Sequence, residues 1–284
     1  MENRPIFERV LHPTDLSVHF TQTLGRLISL KSVGMTDARL LHLTGYEGGP
    51  EALSERERAR LGRDLSLRVD EMVRAGVRAD FEIKIGVGSE QVVASAKGFD
   101  ATLIFLGPHV HGFFKDLLVG SVEDELIRHS KLPLLLEGPE GHGKVPDGGL
   151  LDRVVVPVDF TETTKAMLDE LLRLAPLGLK RVALVHVVEG HGEASAKHME
   201  KVREAEDRLG ALAEETRRAG VDVYAHVHTG HPAEEILKAG AEERATLMLM
   251  CAGAGRRTLA RLLGRTAERV VHGSSWPTLF FPHC

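Results

Sequence analysis

The chain carries only two cysteines, Cys251 and Cys284, in 284 residues. Two thiols exclude a disulfide framework and a four-thiolate zinc site, and so sparse a supply fits a reducing compartment. Positive charge is not in excess either: 36 Lys and Arg against 41 Asp and Glu leave a formal net charge of −5. Without the basic footprint of a general nucleic-acid binder, no nucleic-acid partner is expected. No apolar run approaches the roughly 20 residues needed to span a bilayer. The polar opening Met1-Glu2-Asn3-Arg4-Pro5 leads into no signal-like apolar region. No membrane partner is therefore expected, and the expected location is cytoplasmic. Two catalytic loops are missing as well: no G-x-S-x-G elbow supplies a nucleophile, and no G-x-x-x-x-G-K-[ST] loop marks a P-loop NTPase.

What is present belongs to a folded protein. Apolar residues make up 43% and charged residues 27%, which excludes a mostly disordered or collagen-like chain. The length suits about two ordinary domains. A single offset of 144 then recurs along the sequence. Pro13 and Asp15 reappear as Pro157 and Asp159, His42 as His186, Gly76 as Gly220, and Gly86 as Gly230. Glu90 reappears as Glu234, Gly120 as Gly264, and Pro133 as Pro277. One long period means duplication, where a solenoid would show many short ones. The expected organisation is a first domain over residues 1–137, a Gly/Pro-rich linker over 138–150, and a second domain over 151–284.

Within each copy apolar runs alternate with segments of helical period. In the first copy, Arg9–Pro13, Arg39–Leu43, Ala79–Ile85, Thr102–Leu106 and Leu132–Leu136 read as strands. In the second, Arg153–Val158, Val182–Val188, Val221–His228, Thr246–Cys251 and Thr278–Phe281 do so. Helices are expected between them near Thr163–Ala175, Ala196–Ala219 (ended by Gly220), Pro232–Glu243 and Thr266–His272. Strands alternating with helices imply parallel βαβ units, and near-continuous Val/Leu/Ile runs imply a sheet covered on both faces. The fold class is α/β: two tandem doubly wound domains, each a five-stranded mostly parallel sheet with helices on both faces. Ligands on such sheets lie beyond the carboxyl ends of the strands near the topological switch point. That directs attention to Pro13, Thr14 and Asp15, to Leu43, and to Gly107.

From Gly107 the first copy continues Gly107-Pro108-His109-Val110-His111-Gly112-Phe113-Phe114-Lys115-Asp116-Leu117-Leu118-Val119-Gly120-Ser121. Taken with Pro13-Thr14-Asp15-Leu16-Ser17, Pro157-Val158-Asp159-Phe160-Thr161, His42-Leu43, His186-Val187 and Gly230-His231-Pro232-Ala233-Glu234, this chain resembles a tandem universal stress protein. The resemblance covers both halves nearly end to end. ATP-binding members of that family carry G-x2-G-x9-G-[ST] after the fourth strand. Gly107, Gly120 and Ser121 match three of its fixed positions, and Val110 replaces the second glycine. The resemblance implies that Asp15 faces the adenine and Leu43 lines the base pocket, that Gly107 borders the ribose and phosphates, and that Gly120, Ser121 and Val122 hold the phosphate chain. Pro13, Thr14 and His109 belong to the same implied nucleotide site. The implied ligand is ATP or another adenine nucleotide, with or without magnesium. The implied role is regulation in a stress response, with at most slow ATP hydrolysis and no catalytic residue assigned.

These residue types suit the task, since glycines admit backbone amides to phosphate oxygens and a helix N-terminus favours an anion. Other readings stay open. Ser121-Val122-Glu123-Asp124 is also a capping-box pattern, and Asp15-Leu16-Ser17 also reads as a helix cap. Val110, being β-branched, resists positive φ and projects methyls toward the loop. The second copy departs further: Cys251, Ala254 and Arg265 stand at the fixed positions. Its Arg256, Arg257, Arg261 and Arg265 read either as an anion site or as a solvated helix face. Cys251 itself reads as a buried, inert thiol. A nucleotide-free interaction scaffold, with Phe113-Phe114 as contact surface, is one alternative. A histidine-based metal site using His226, His228 and His231, or His109 and His111, is another, although no carboxylate or thiol visibly completes a ligand set. Family members commonly dimerise along the last strand, so an intrachain pseudo-dimer and a homodimer are both expected forms.

Overall fold

A computed structural model describes residues 4–16, 20–44, 54–86, 88–107, 125–127, 130–138, 148–190, 195–252 and 264–282. The chain divides into two compact units, Met1–Val145 and Pro146–Cys284. The first contains β1 (Arg9–Thr14), α1 (Phe20–Ser29), β2 (Asp37–Thr44), α2 (Glu55–Arg74), β3 (Arg78–Ile85), α3 (Ser89–Phe99), β4 (Leu103–Leu106) and β5 (Leu134–Leu136). The second contains β6 (Arg153–Pro157), α4 (Glu162–Leu172), β7 (Arg181–Glu189), α5 (Ala196–Arg218), β8 (Asp222–Gly230), α6 (Pro232–Glu242), β9 (Leu247–Cys251), α7 (Gly264–Gly273) and β10 (Thr278–Phe281).

The strand order is β3-β2-β1-β4-β5 in the first unit and β8-β7-β6-β9-β10 in the second, with every pairing within a unit parallel. In β4, β5 and β10 every residue is buried. Successive side chains on a strand point to opposite faces, so burial of all of them means that both faces are covered. That follows from the unbroken Leu/Ile/Val/Phe runs and matches the doubly wound expectation.

The duplication extends to individual bonds. The backbone N–H of Arg9 donates to Thr102 Oγ1 and that of Arg153 to Thr246 Oγ1, both at 2.9 Å. Gly76 and Gly220, with φ of +83° and +87°, end α2 and α5 in the left-handed conformation that glycine adopts without a Cβ penalty. Ser54 opens α2 by accepting from Glu57 N, while the Glu57 carboxylate accepts from the Ser54 backbone N–H, a capping box.

Most boundaries shift by one or two residues from the sequence reading, and two of the differences trace to proline. The helix expected near Thr163–Ala175 stops at Leu172 and resumes as a separate 3-10 turn, Ala175–Leu177. Pro176 explains the break: it has no N–H to donate, and its ring clashes with a helical carbonyl one turn back. The expected strand Leu132–Leu136 shortens to Leu134–Leu136, because Pro133 cannot donate to a ladder and Leu132 N bonds locally to Ser130 Oγ at 3.0 Å.

Candidate functional site

In the first unit β1 lies between β2 and β4, and the chain steps from β1 to β2 on one side and later to β4 on the other. This is a switch point, the place where sheets of this kind bind ligands beyond the strand tips. Thr14 pairs with His42, which brings Leu43 level with Asp15. Val10 and Leu11 pair with Leu103 and Ile104, and continuing that register sets Gly107 level with Thr14. Neighbouring strands lie about 4.8 Å apart, so Pro13–Asp15, Leu43 and Gly107 converge within about 10 Å. His109, Gly120, Ser121 and Val122, together with Val110 and the Phe113-Phe114 pair, lie outside the described residues.

The strand tip turns sharply. Leu16 N donates to Thr14 Oγ1 at 3.1 Å, and Leu16 has φ of +59°. A bulky residue rarely occupies the left-handed region, and such conformations concentrate at functional sites. A β-carbon added to Gly107 would lie 3.2 Å from Thr23 Cγ2 and Oγ1 and 3.6 Å from His12 Cε1. The backbone thus approaches α1 closely, and only glycine fits without displacing Thr23.

Two histidines brace the strand tips. His42 Nδ1 lies 2.9 Å from the Thr14 carbonyl and His12 Nδ1 2.8 Å from the Phe105 carbonyl. A carbonyl can only accept, so in both rings Nδ1 carries the proton. Burial lowers the His42 pKa, outweighing the opposing pull of the Thr14 carbonyl and of Asp15. In His12 burial dominates more strongly and lowers the pKa to about 4, against the opposing Phe105 carbonyl and Asp15. Both rings are neutral at pH 7.

Beside Gly107 lies a buried ion pair. Arg26 on α1 donates from Nε at 3.3 Å to both Glu137 carboxylate oxygens, and from Nη2 at 3.2 Å to Oε1. Glu137 N donates to the Leu106 carbonyl at 3.0 Å, which fixes that residue against the β4 tip. Burial pushes the Glu137 carboxyl up, against the lowering pull of the Arg26 charge and hydrogen bonds. Sequence reasoning missed His12, Thr23, Arg26 and Glu137. The second copy holds Val156, Met167, Glu170 and Phe281 at the same offsets, so comparing the copies for unmatched polar residues would have found them. A shallow cleft of about 220 Å³ between the β1 tip and α2 is lined by Leu16, Asp64, Leu67, Arg68, Glu71 and Arg74.

The second unit repeats the frame with different contents. Asp159 braces the turn that leads into α4: its Oδ1 accepts from Thr161 N at 3.0 Å, Thr161 Oγ1 at 2.7 Å and Thr164 Oγ1 at 2.9 Å. Burial pushes this carboxyl up, and the hydrogen bonds from Thr161 and Thr164 outweigh it, leaving the pKa below the usual aspartate value. His186 Nδ1 donates to the Val158 carbonyl at 2.7 Å, as His42 does in the first copy. The Phe160 ring stacks 4.3 Å from His186 and lies 4.2 Å under the Arg208 guanidinium. Cys251, in the position of Gly107, is half-buried and disulfide-bonded, which corrects both the expectation of a buried free thiol and the reading of the two cysteines as reduced thiols. Its strand runs parallel to β10 in a register that sets it level with Phe281, near the second cysteine in sequence.

The histidine-rich strand also gains partners that sequence reading lacked. His226 Nε2 lies 3.0 Å from Glu243 Oε1, and His228 Nδ1 lies 3.1 Å from Glu235 Oε2. These are separate imidazole–carboxylate pairs. Among the described residues no group of three or more His, Cys, Asp or Glu side chains could hold a metal ion. Among those residues, too, no helix is long and apolar enough to cross a membrane.

The chain matches the sequence profile described as universal stress protein family twice, over residues 7–136 and 151–282. Universal stress protein MJ0577 of Methanocaldococcus jannaschii is 22% identical over 153 residues, covering 46% of this chain and 94% of its own. A universal stress protein structure from Archaeoglobus fulgidus shares the fold with a TM-score of 0.72 at 23% identity, covering 96% of both chains. A putative universal stress protein from Pseudomonas aeruginosa superposes with a TM-score of 0.65 at 14% identity, covering 97% of this chain and 93% of the other. With both halves matched and an α/β fold of parallel strands in each, this chain belongs to the universal stress protein family, with two such domains in tandem.

Proposed function

We propose that the first unit binds an adenine nucleotide (ATP, ADP or AMP) beyond the tips of β1, β2 and β4, and that the protein serves as a cytoplasmic stress-response regulator. One observation carries this reading: Pro13–Asp15, Leu43 and Gly107 converge at the switch point, with Gly107 where a side chain would strike Thr23. In this reading Asp15 and Leu43 face the base and Gly107 lets the backbone approach the ribose and phosphates. His109, Gly120, Ser121 and Val122 complete the phosphate side. Magnesium would arrive with the phosphates. In this reading Asp15 is the carboxylate at the β1 tip, and Glu137 pairs with Arg26. With two neutral histidines at these strand tips and no general base assigned, binding and regulation fit better than fast hydrolysis. The domain boundaries 1–137 and 151–284, and self-association through the last strands β5 or β10, belong to the same proposal.

A nucleotide-free scaffold is the competing reading, favoured in the second unit by Cys251 in the glycine position and by the engaged Asp159. The deciding experiment is mass spectrometry of a denatured extract of the purified chain. Co-extracted adenine nucleotide supports the proposal; an empty extract, together with no thermal shift on adding ATP, ADP or AMP, removes it. In a binding protein, Gly107→Val should abolish the ligand-induced rise in melting temperature. That rise corresponds to about 2.7 kcal/mol at a hundredfold excess over Kd.

A further inference from the structure

Arg26 is among the largest fully buried side chains of the protein, and its guanidinium meets a carboxylate whose side chain is 0% exposed. A buried ion pair is poor evidence of stability, because desolvating both charges costs about as much as their attraction returns. Its place in the fold suggests another use. Arg26 projects from α1, the helix that follows Pro13–Asp15. Glu137 is bonded through its N–H to Leu106, the residue before Gly107. The pair therefore ties the wall that carries Asp15 to the wall that carries Gly107.

The duplication supplies an internal control. At the matching offsets the second unit has Glu170 and Phe281, and Glu170 pairs with Arg173 one turn along the same helix at 2.7 Å. The second unit, whose strand-four tip carries Cys251, shows no such cross-element pair at that place among the described residues. The pair occurs in the copy that keeps Gly107, beside the glycine and the neutral His12.

We propose that Arg26 and Glu137 are positioning residues for the adenine-nucleotide site, setting the separation of the β1–α1 wall from the β4 tip. This inference rests on the nucleotide reading above. A guanidinium–carboxylate fork has a fixed planar geometry that an apolar contact of similar volume does not reproduce. Small misplacements of binding groups cost far more than the contacts that moved.

The test uses the full chain with the double substitution Arg26→Leu/Glu137→Leu and the single substitution Glu137→Gln. The double variant should melt without ligand at or above the wild-type temperature. Its affinity for a fluorescent ADP analogue should fall by about tenfold or more. In ligand-free protein, hydrogen exchange should quicken at the Leu16 and Glu137 amides, with the second unit unchanged. Glu137→Gln keeps the shape and one acceptor and should fall between. Equal affinity in wild type and both variants overturns the proposal, as does unchanged exchange at those two amides. If the double variant fails to fold, Glu137→Gln decides by the same two readouts. Wild type that binds no adenine nucleotide refutes the parent reading and the positioning role together. Wild type that binds while the variants bind equally refutes only the positioning role.

Discussion

Lowering the pH from 7 to 4.5 should destabilise the first unit through one identifiable ring, His12. The imidazole is fully buried, its Nδ1 proton is committed to the Phe105 carbonyl, and its pKa is lowered from 6.5 to about 4. The unfolded chain takes up the proton near pH 6.5, while the folded chain resists it until about pH 4. Stability from this group is thus complete above 6.5 and is lost as pH falls toward 4. The full loss is about 3.4 kcal/mol at 1.36 kcal/mol per pH unit, of which about 2.5 kcal/mol is gone by pH 4.5. His42, buried at the neighbouring strand tip and also lowered, changes stability with the same sign. The comparison must therefore isolate His12. His12→Val places there the residue that the second copy carries at Val156, and it does not titrate. Urea unfolding at a series of pH values, followed for each protein, should show wild type losing about 2.5 kcal/mol more than the variant between pH 7 and 4.5. Imidazole resonances followed by NMR should place the His12 titration well below 6. Parallel stability curves, or a His12 pKa at or above 6.5, would refute the argument that burial keeps this ring neutral.

Other outcomes follow from the same geometry. Gly240→Ala should destabilise the second unit by about 1–3 kcal/mol, because the new methyl would enter the space of the Trp276 ring, 3.0 Å from Cε2. Trp276 is the sole tryptophan, so its fluorescence reports that unfolding directly, and an unchanged midpoint would show that the ring has room to move. Asp159→Ala should cost about 1 kcal/mol or more by removing the hydrogen bonds that hold the turn into α4, and the cost should shrink as acid protonates the wild-type carboxylate, measured by denaturation at pH 7 and pH 3. Asp15→Ala should weaken adenine-nucleotide binding in calorimetry, whereas Asp159→Ala should leave it unchanged if the site belongs to the first unit alone.

Much of the architecture could be read from the residues. Unbroken runs such as Leu103–Leu106 and Thr278–Phe281 admit little but strands buried on both faces, and the 144-residue offset turned one set of elements into two. Two of the differences came at prolines: Pro176 divided a helical segment, and Pro133 shortened a strand whose apolar pattern ran on past it. The candidate site was legible only where residues sit at strand tips. Pro13–Asp15, Leu43 and Gly107 follow strands and could be placed by topology. Arg26 and Glu137 lie 111 positions apart, and nothing in either local pattern announces their pairing.

Sequence alone determined the α/β class, the duplication and the strand ends on which a ligand would sit, because periodicity and burial act over a few neighbouring residues. Tertiary structure alone decided that His12 and His42 are neutral, that Arg26 meets Glu137, that Asp159 is held by Thr161 and Thr164 and that Cys251 is bonded. Protonation, pairing and capping depend on what lies within a few ångströms. Chain segments far apart in the sequence set that distance only once the sheet has closed.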